Sequence, residues 1–515
     1  RIEWRTTRSR EMDEPSLGAD ALAALQDILG ESALGGDLSE FAALLSARRA
    51  AADSSDEDES EDGDSDTAPG DDSGRQPGES HADYYRRLYP ERFAEEGTAA
   101  QAAAEAPVTE PLALVTIEDE YVQNLVLKAF ERRPHWRVCT TVPAAAEGAD
   151  MDESLEPYDL HWGEYEHLEF FSPRFAAGNF MASCYYNRKG LIRKGHLAHI
   201  MEKWRTKNPD KAPLAPKSYI LTLESGKEND LDTSFPAALA RSSFPGFNEG
   251  QGAGEARDVV DDGNVWILKP SVTNQAQGIC LVRSEAQLRE AIERADDMQR
   301  AGDFVLQQYL EPLLLDGRKF HLRVFMLLVG NLTAYVSPDF LAIFSLEQYA
   351  GASLDETRAH LTNISHQQVL SLEDQHRCMR LFAETAPDMM AAGVAADEAE
   401  ANERIAAVQE RVFAIVADMV AAASSELTFQ TRKNCFELFG LDFMIDPEWG
   451  VWLLEANAEP DLSKAGDRLQ GVIDDILQDT LKLVVDHNPR FPSTAEAAAA
   501  PVRLREVYQR AGRAW

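Results

Sequence analysis

The stretch that decides the fold is Phe439-Gly-Leu-Asp442-Phe-Met-Ile445, followed by Asp446-Pro-Glu-Trp-Gly450 and Val451-Trp-Leu-Leu-Glu455-Ala-Asn457. Two strongly apolar runs flank a Pro/Gly turn, which predicts a β-hairpin. Side chains alternate between the faces of a strand, so Glu455 and Asn457 share one. Pairing of Asp446 with Val451 around the loop 447–450 puts Asp442 opposite Glu455, with Cβ atoms about 5 Å apart. Two buried carboxylates at that spacing repel, and one is driven to hold a proton unless a cation relieves the conflict. Oxygen-only donors, few and close together, favour Mg²⁺ shared with substrate phosphates over a calcium cage. A structural carboxylate pair sharing a proton is the alternative that these residues leave open.

Upstream, Phe304-Val-Leu-Gln307-Gln308-Tyr309-Leu310 reads as a strand that runs into Glu311–Val329. In Lys319-Phe-His321-Leu-Arg323 the polar residues alternate with Phe320 and Leu322, so all three lie on one strand face. Three cationic groups on one face repel each other unless a polyanion covers them. Asn264–Ser271 is a further apolar strand with Lys269 near its end. A lysine buried there is costly unless it meets an anion, although a snorkelling lysine fits equally well. His360-Leu-Thr362-Asn363 suits a loop donating hydrogen bonds to phosphate, or an ordinary cap or turn.

The whole chain has 515 residues, 44% of them hydrophobic, and a formal net charge of −38. At roughly 150 residues per domain that allows about three folding units. Such acidity argues against DNA or an anionic membrane as a partner, because the long-range field repels phosphates. Cys139, Cys184, Cys280, Cys378 and Cys435 lie far apart without a CxxC pair, which suggests neither a disulfide framework nor a zinc site. There is no apolar run of about 18 residues to span a bilayer. Arg1–Glu14 lacks the apolar stretch of a signal peptide, so cytoplasm or nucleus is expected.

Residues 51–72 hold eleven Asp or Glu and no Lys or Arg, a composition that predicts a disordered tail over 1–106. Within it, 22–29 and 38–45 read as short amphipathic pieces, either a partner-binding motif or transient helix. Ser54, Ser55, Ser60 and Ser65 suit acidophilic kinases, or simply belong to a solubilising tail. Order is expected from Pro107, with a strand at 111–117, a helix at 119–131 and a strand at 136–142. A loop should cover 144–157. Tyr185–Lys217 reverses the trend, with nine Lys or Arg against only Glu202 and Asp210. It reads as a strand or turn leading into a helix that contacts phosphate or an acidic chain, or as a solvated basic face. Residues 377–425 read as helical from His376-Arg-Cys-Met-Arg-Leu-Phe382, interrupted by a loose acidic loop at 386–402. Helix is expected again at 467–486, and 488–515 reads as a tail, helical near its end.

With these stretches in order, the chain resembles the tubulin–tyrosine ligase family, a branch of the ATP-grasp ligases, and most of all its fungal branch. The likeness covers roughly residues 110–487. It rests on Ile192-Arg-Lys-Gly-His-Leu197, Trp266-Ile-Leu-Lys-Pro-Ser271, Gln307–Arg323, His360-Leu-Thr-Asn363 and the Asp442/Glu455 hairpin. The resemblance implies an α+β ATP-grasp fold, with two α+β subdomains clasping ATP at 218–305 and 306–487. An N-terminal α/β domain would precede them at 107–217, between the acidic tail and the 488–515 tail. It implies ATP and Mg²⁺ as cofactors. Lys319 and Arg323 would be catalytic. Lys194, Lys269, Gln277, Gly278, Gln307, Gln308, Tyr309, Leu310, Lys319, His321, Thr362 and Asn363 would hold the nucleotide, and Asp442, Glu455 and Asn457 the metal.

The implied activity joins an amino acid to a protein through an acyl phosphate, so the implied partners are a protein acceptor and a free amino acid. Tubulin as acceptor is opposed by the negative charge of the chain, a repulsion that the basic segment reverses locally. The alternative is a cytoplasmic nucleotide-binding pseudoenzyme or scaffold associated with RNA-granule proteins. Three departures from the family pattern bear on this. The phosphate-covering loop, Thr273–Ile279, has lost its lysine and keeps only Gly278; His321 stands where the family often has Asp; and Tyr335–Phe344 lacks the family's arginines.

Overall fold

The structure, a computed structural model, describes residues 110–141, 158–223, 265–271, 278–284, 287–288, 290–292, 294, 302–349, 353, 356–367, 371–462, 466–494, 497 and 499–510. The acidic tail with its amphipathic pieces and serines, most of the phosphate-covering loop and the 144–157 loop lie outside the described residues. All three sheets belong to the compact unit Val108–Trp515.

The first sheet is parallel, in the order β2–β1–β3–β4, from β1 (Leu112–Thr116), β2 (Arg137–Cys139), β3 (Leu160–Gly163) and β4 (Met181–Ala182). A parallel strand covered on both faces reads as a continuous apolar run, and β1 is one. Its Ala113 and Val115 pack with Leu125, Val126 and Phe130 of α1 (Glu120–Phe130), while Leu112 and Leu114 join Tyr158, Phe175 and Phe180. Asp119 caps α1, its Oδ1 accepting the Val122 N–H at 3.1 Å.

The second sheet is antiparallel, in the order β5–β8–β6–β7, from β5 (Ser218–Leu223), β6 (Trp266–Pro270), β7 (Cys280–Val282) and β8 (Gly302–Gln308). Alternation sends Trp266 and Leu268 into a small core with Tyr219, Leu221, Phe304 and Leu306. The opposite face of β6 carries Ile267 and Lys269. α2 (Lys194–Lys207) has no capping side chain at its own N-cap, Arg193. Ser271 supplies the missing acceptors: its Oγ takes the Gly195 N–H at 2.9 Å and its carbonyl the Lys194 N–H at 3.3 Å. The end of β6 is thereby tied to the start of α2.

The third sheet is built on β10 (Arg318–Val329), with β9 (Leu314–Leu315), β11 (Thr333–Val336), β12 (Leu341–Phe344), β13 (Met379–Leu381), β14 (Phe436–Ile445), β15 (Val451–Ala458) and β16 (Arg505–Gln509). The path is β13–β12–β10–β11–β16, and β14 pairs with both β10 and β15. On one face of β10, Phe320, Leu322, Val324, Met326 and Leu328 share an apolar cluster with Ile405, Val408, Val412, Val416 and Met419 of α3 (Glu398–Ala423). On the other, Phe325, Leu327 and Val329 share a cluster with Leu469, Ile473, Ile476 and Leu477 of α4 (Gly466–Leu481). Lys319, His321 and Arg323 continue that second face beyond its apolar cover. The polar face of β10 therefore looks into a cavity.

Several expectations are corrected. Residues 376–382 do not open a continuous helix: Leu372–Cys378 is helical, but Met379–Leu381 pairs antiparallel with β12, giving the β12 backbone its partners. Residues 386–402 are not a loose loop. Ala386–Ala391 is helical and α3 begins at Glu398, where the acids are caps: Asp397 accepts the Glu400 N–H at 2.9 Å and Glu400 accepts the Ala396 N–H at 2.7 Å. Residues 505–509 are a strand and not a helix, because β16 satisfies the open edge of β11. In the hairpin Ile445, not Asp446, pairs with Val451, and a bulge that leaves Leu454 unpaired restores Asp442 opposite Glu455.

Candidate active site

A cavity of about 550 Å³ is lined by the start of α2, β6, β10, β12, β14, β15 and the loop after His360. Each strand contributes by the same two-residue alternation. It gathers Lys194, Lys269, Lys319, His321, Arg323, Thr362, Asn363, Asp442, Glu455 and Asn457 from the sequence-predicted set. Their order across the floor is simple: carboxylates and amide on the β14/β15 hairpin, cations on β10, β6 and α2.

The other predicted residues are placed differently. Gln307 is buried beside the cavity, its Oε1 accepting from Lys269 Nζ at 2.7 Å and its Nε2 donating to Ser218 Oγ at 3.1 Å. It holds a lysine and does not border the cavity. Tyr309 is half-buried, its hydroxyl accepting from Lys319 Nζ at 3.0 Å and lying 3.0 Å from His360 Nδ1. Gln308 and Leu310 are half-buried and are not part of the lining. Gly278 is exposed with φ +72°, a left-handed backbone that favours glycine, and only its neighbour Ile279 reaches the lining. Gln277 lies outside the described residues.

The charges are arranged in opposed pairs. Arg323 grips Asp442 with Nε to Oδ1 at 2.6 Å and Nη2 to Oδ2 at 3.1 Å. Lys194 Nζ stands 3.5 Å from Glu455 Oε2. Burial works to raise the Asp442 carboxyl, yet Arg323 and His321 overcome it and hold the group below its usual range. Burial pushes Lys269 down to about 8, with Glu455 opposing and Lys194 adding to the shift. It pushes Lys319 further, to about 7, helped by repulsion from Lys269. The two lysines are thus crowded cations short of an anion. His321 is also pushed down by burial. Its Nδ1 lies 2.5 Å from Thr362 Oγ1, while its buried Nε2 has no hydrogen-bond partner and lies 3.8 Å from Asp442 Oδ1.

The donors suit a hard divalent cation. Asp442 and Glu455 face each other on adjoining strands, and Asn457 Nδ2 makes only weak contacts, 3.4 Å to each carboxylate. Turning the amide over would present its oxygen instead. Among the described residues no three His, Cys, Asp or Glu stand together as a self-sufficient metal site. An ion here would complete its shell with phosphate oxygens and water, as Mg²⁺ does.

Sequence reading missed four charged residues that line the cavity: Arg188, Arg193, Glu459 and Asp461. Arg188 is clamped between buried Glu437 and Glu459, at 2.9 Å from the latter, over the Tyr165 ring. Burial raises Glu437 to about 7 against the pull of Arg188. Glu459 sits at φ +48°, a costly backbone for a side chain of this kind. Continuing the alternation 455, 457, 459 would have flagged Glu459; nothing local flags Arg188, whose partners are distant in sequence.

The sequence profile of the tubulin–tyrosine ligase family matches residues 183–492. A probable tubulin–tyrosine ligase of Saccharomyces cerevisiae, PBY1, is 26% identical over 73% of this chain and 52% of its own length. A probable tubulin–tyrosine ligase of Schizosaccharomyces pombe is 25% identical over 72% of this chain and 90% of its own. The chain thus spans about half the length of the first relative. The C-terminal domain of Pby1 from K. lactis is a solved structure, of an ATP-grasp enzyme interacting with the mRNA decapping enzyme Dcp2. It matches with a TM-score of 0.54 at 23% identity, over 78% of this chain and 100% of that one. The fold is that of the ATP-grasp proteins.

Proposed function

The chain belongs to the tubulin–tyrosine ligase family, and we propose that it is an ATP- and Mg²⁺-dependent carboxylate–amine ligase that adds an amino acid to a protein. The N-terminal α/β domain would span 107–217, and the ATP-clasping subdomains 218–305 and 306–487. The observation that carries the reading is the opposed Asp442/Glu455 pair with Asn457, lining one cavity together with the cations Lys194, Lys269, Lys319 and Arg323.

In the proposed reaction a carboxylate oxygen attacks the γ-phosphorus of ATP and ADP leaves, giving an acyl phosphate. The amine then attacks the carbonyl carbon, the C–O bond breaks, and phosphate departs with the electron pair. Asp442, Glu455 and Asn457 would hold Mg²⁺, which, when bound, screens charge on the transferred phosphoryl group. The remaining work falls to fixed cations. Lys269 and Lys319 gain the anion they lack, and Lys194 covers the same charge from the helix start. Arg323 holds Asp442 in place. His321, fixed by Thr362, offers Nε2 to an oxygen in the cavity. Leu341 and Ile343 make the β12 wall apolar where the family carries arginines.

Mg²⁺-dependent ATP binding read by thermal shift tests the nucleotide site, with Glu455→Gln as the control. ATP should stabilise the wild type by about 3 kcal/mol at a hundredfold excess over its Kd and the variant much less. Absence of a shift in the wild type would sink the reading. ADP release in the presence of candidate amino acids and acceptors then tests turnover.

A second reading is a cytoplasmic nucleotide-binding scaffold associated with RNA-granule proteins. It is favoured by the altered phosphate loop and by the structural neighbour, which interacts with a decapping enzyme. ATP binding without hydrolysis across the panel would select it. No helix among the described residues is long and apolar enough to cross a membrane.

A further inference from the structure

Lys269 and Lys319 line the cavity and repel one another, yet among the described residues neither forms an ion pair. Each is held instead by a neutral chain of hydrogen bonds, in which only His360 reaches the cavity lining. Lys269 Nζ donates to Gln307 Oε1 at 2.7 Å, Gln307 Nε2 to Ser218 Oγ at 3.1 Å, and Ser218 Oγ to the Pro216 carbonyl at 3.0 Å. Lys319 Nζ donates to the Tyr309 hydroxyl at 3.0 Å and stands 4.4 Å from the centre of its ring. That hydroxyl lies 3.0 Å from His360 Nδ1, and His360 Nε2 lies 3.1 Å from the Ser353 carbonyl. Gln307 and Tyr309 are two apart, so alternation carries both acceptors to the same side.

Elementary chemistry fixes the direction of both chains. A carbonyl only accepts, so His360 Nε2 carries its proton toward Ser353 and, in the neutral ring, Nδ1 is left as an acceptor. Burial pushes His360 down against the pull of the Ser353 carbonyl, and Lys319 adds to the shift while Glu311 and Glu356 oppose it, so the ring is neutral near pH 7. Tyr349 packs edge-on against the same ring, with centroids 5.2 Å apart, and its own hydroxyl donates to Glu311 at 3.5 Å. The single proton of Tyr309 then goes to Nδ1, and its oxygen turns only lone pairs toward Lys319. In the other chain the Ser218 proton is committed to Pro216, so Gln307 must present Nε2 to Ser218 and its oxygen to Lys269. Each ammonium thus meets an acceptor that carries no charge. A carboxylate in either place would pin the lysine as well but cancel the charge that an anionic ligand needs.

We propose that Tyr309 with His360, and Gln307 with Ser218, are positioning residues: two neutral relays that hold the Lys319 and Lys269 ammonium groups at fixed points of the cavity wall, their charge undiminished for a polyanion. Each acceptor favours the charged form of its lysine, because a hydrogen bond from a charged donor is stronger than one from a neutral amine. Two like charges fixed in advance need no reorganisation when the anion arrives. The other charged groups acting on them are Glu455, Lys194 and Asp442 at Lys269, and Glu311 at Lys319, all of which the substitutions below leave in place. The assignment deepens the nucleotide reading of the cavity and rests on it.

ATP affinity of the full chain with Mg²⁺, measured against pH, tests the relays in Tyr309→Phe, His360→Leu and His360→Asn. Losing the acceptor lowers Lys319 further. In the first two variants affinity should therefore begin to fall about one pH unit earlier than in the wild type, and be about tenfold weaker at pH 8. His360→Asn, whose side-chain oxygen can stand in for Nδ1 toward Tyr309, should restore most of the profile. Gln307→Glu should weaken ATP binding by about tenfold, because a carboxylate holds Lys269 but cancels its charge. Melting without ATP gives a second readout. Above the folded value of Lys319 the unfolded chain holds a proton that the folded one lacks, so stability rises with pH, and that rise should start about one unit lower in Tyr309→Phe and His360→Leu. The ligand-free shift separates the relays from the nucleotide reading, which alone falls if the wild type binds no ATP. Unmoved pH profiles in Tyr309→Phe and His360→Leu, whatever their melting temperatures, would overturn the proposal. So would a His360→Asn variant no better than His360→Leu, or wild-type ATP affinity in Gln307→Glu.

Discussion

Arg323 holds Asp442 by a two-pronged contact, Nε to Oδ1 at 2.6 Å and Nη2 to Oδ2 at 3.1 Å, with both side chains largely buried. The guanidinium therefore occupies the carboxylate that would also face a metal ion. Removing one partner of such a pair leaves a charge without its counter-charge, which costs about 3–5 kcal/mol. Arg323→Ala should lose stability on that scale. Mg²⁺ should then restore more of the melting temperature in the variant than it adds to the wild type, because Asp442 and Glu455 have lost the competing cation. Equal increments in the two proteins would show that these carboxylates do not take the ion.

The buried lysines make nucleotide binding depend on pH in a defined direction. Lys319 is pushed down to about 7 and Lys269 to about 8, against an ordinary value of 10.5. Between those values and 10.5 the unfolded chain holds protons that the folded one lacks, so these groups make the ligand-free protein more stable as pH rises through that window. A triphosphate acts in the opposite sense by drawing the protons back. ATP affinity should fall as pH rises above 7, by up to about tenfold per unit for each lysine recharged. Calorimetric titration in two buffers of different ionisation heat should find more proton uptake at about pH 8.5 than at about pH 6. Uptake that does not change with pH would assign the binding charge to other groups.

Thr362 and His321 tie the loop after His360 to β10 by their 2.5 Å contact. With the threonine hydroxyl donating to Nδ1, the ring proton lies on Nε2, 3.8 Å from Asp442 Oδ1. Thr362→Val leaves a buried nitrogen unsatisfied and should cost about 1–3 kcal/mol. It also frees the ring to turn, so ATP binding should weaken. Thr362→Ser keeps the hydroxyl and should keep both properties. Loss in the Ser variant with the Val variant unchanged would mean that the methyl group, through packing, matters more than the hydrogen bond.

Much of this geometry was legible because it depends on a period of two. Lys319, His321 and Arg323 share a face of β10, and Glu455 and Asn457 a face of β15, as any strand requires. Asp442 does meet Glu455, but by a route the residues did not advertise: the loop begins a residue earlier and a bulge at Leu454 makes up the difference. Loop pairing is set by local turn geometry, which apolar patterning does not report. The misread segments share another cause. Met379–Leu381 and Arg505–Gln509 are strands because β12 and β11 have open edges, a demand that lies far away in sequence. Arg188 escaped notice for the same reason, since Glu437 and Glu459 are its partners only in the folded chain. The acids around Asp397 looked loose because caps and tails use the same residues.

The open-edge argument carries its own test at the end of the chain. Asp479 of α4 is buried, and its Oδ2 accepts the N–H groups of Arg503 at 2.7 Å and Leu504 at 3.1 Å. Arg503 is further held by Asp339 at 2.6 Å. Together they aim the chain into β16, which pairs with β11 and brings Val507 and Tyr508 against the core. Asp479→Ala removes the acceptor for two backbone donors and should cost about 1–3 kcal/mol. Deleting residues 503–515 should cost more and uncover the β11 edge, a template for pairing with a second chain. Light scattering should therefore show concentration-dependent association of the truncated protein, while Asp479→Ala stays monodisperse until it melts. A truncated protein that melts and scatters like the parent would show that β16 is an ornament of the sheet, and that β11 is protected by something else.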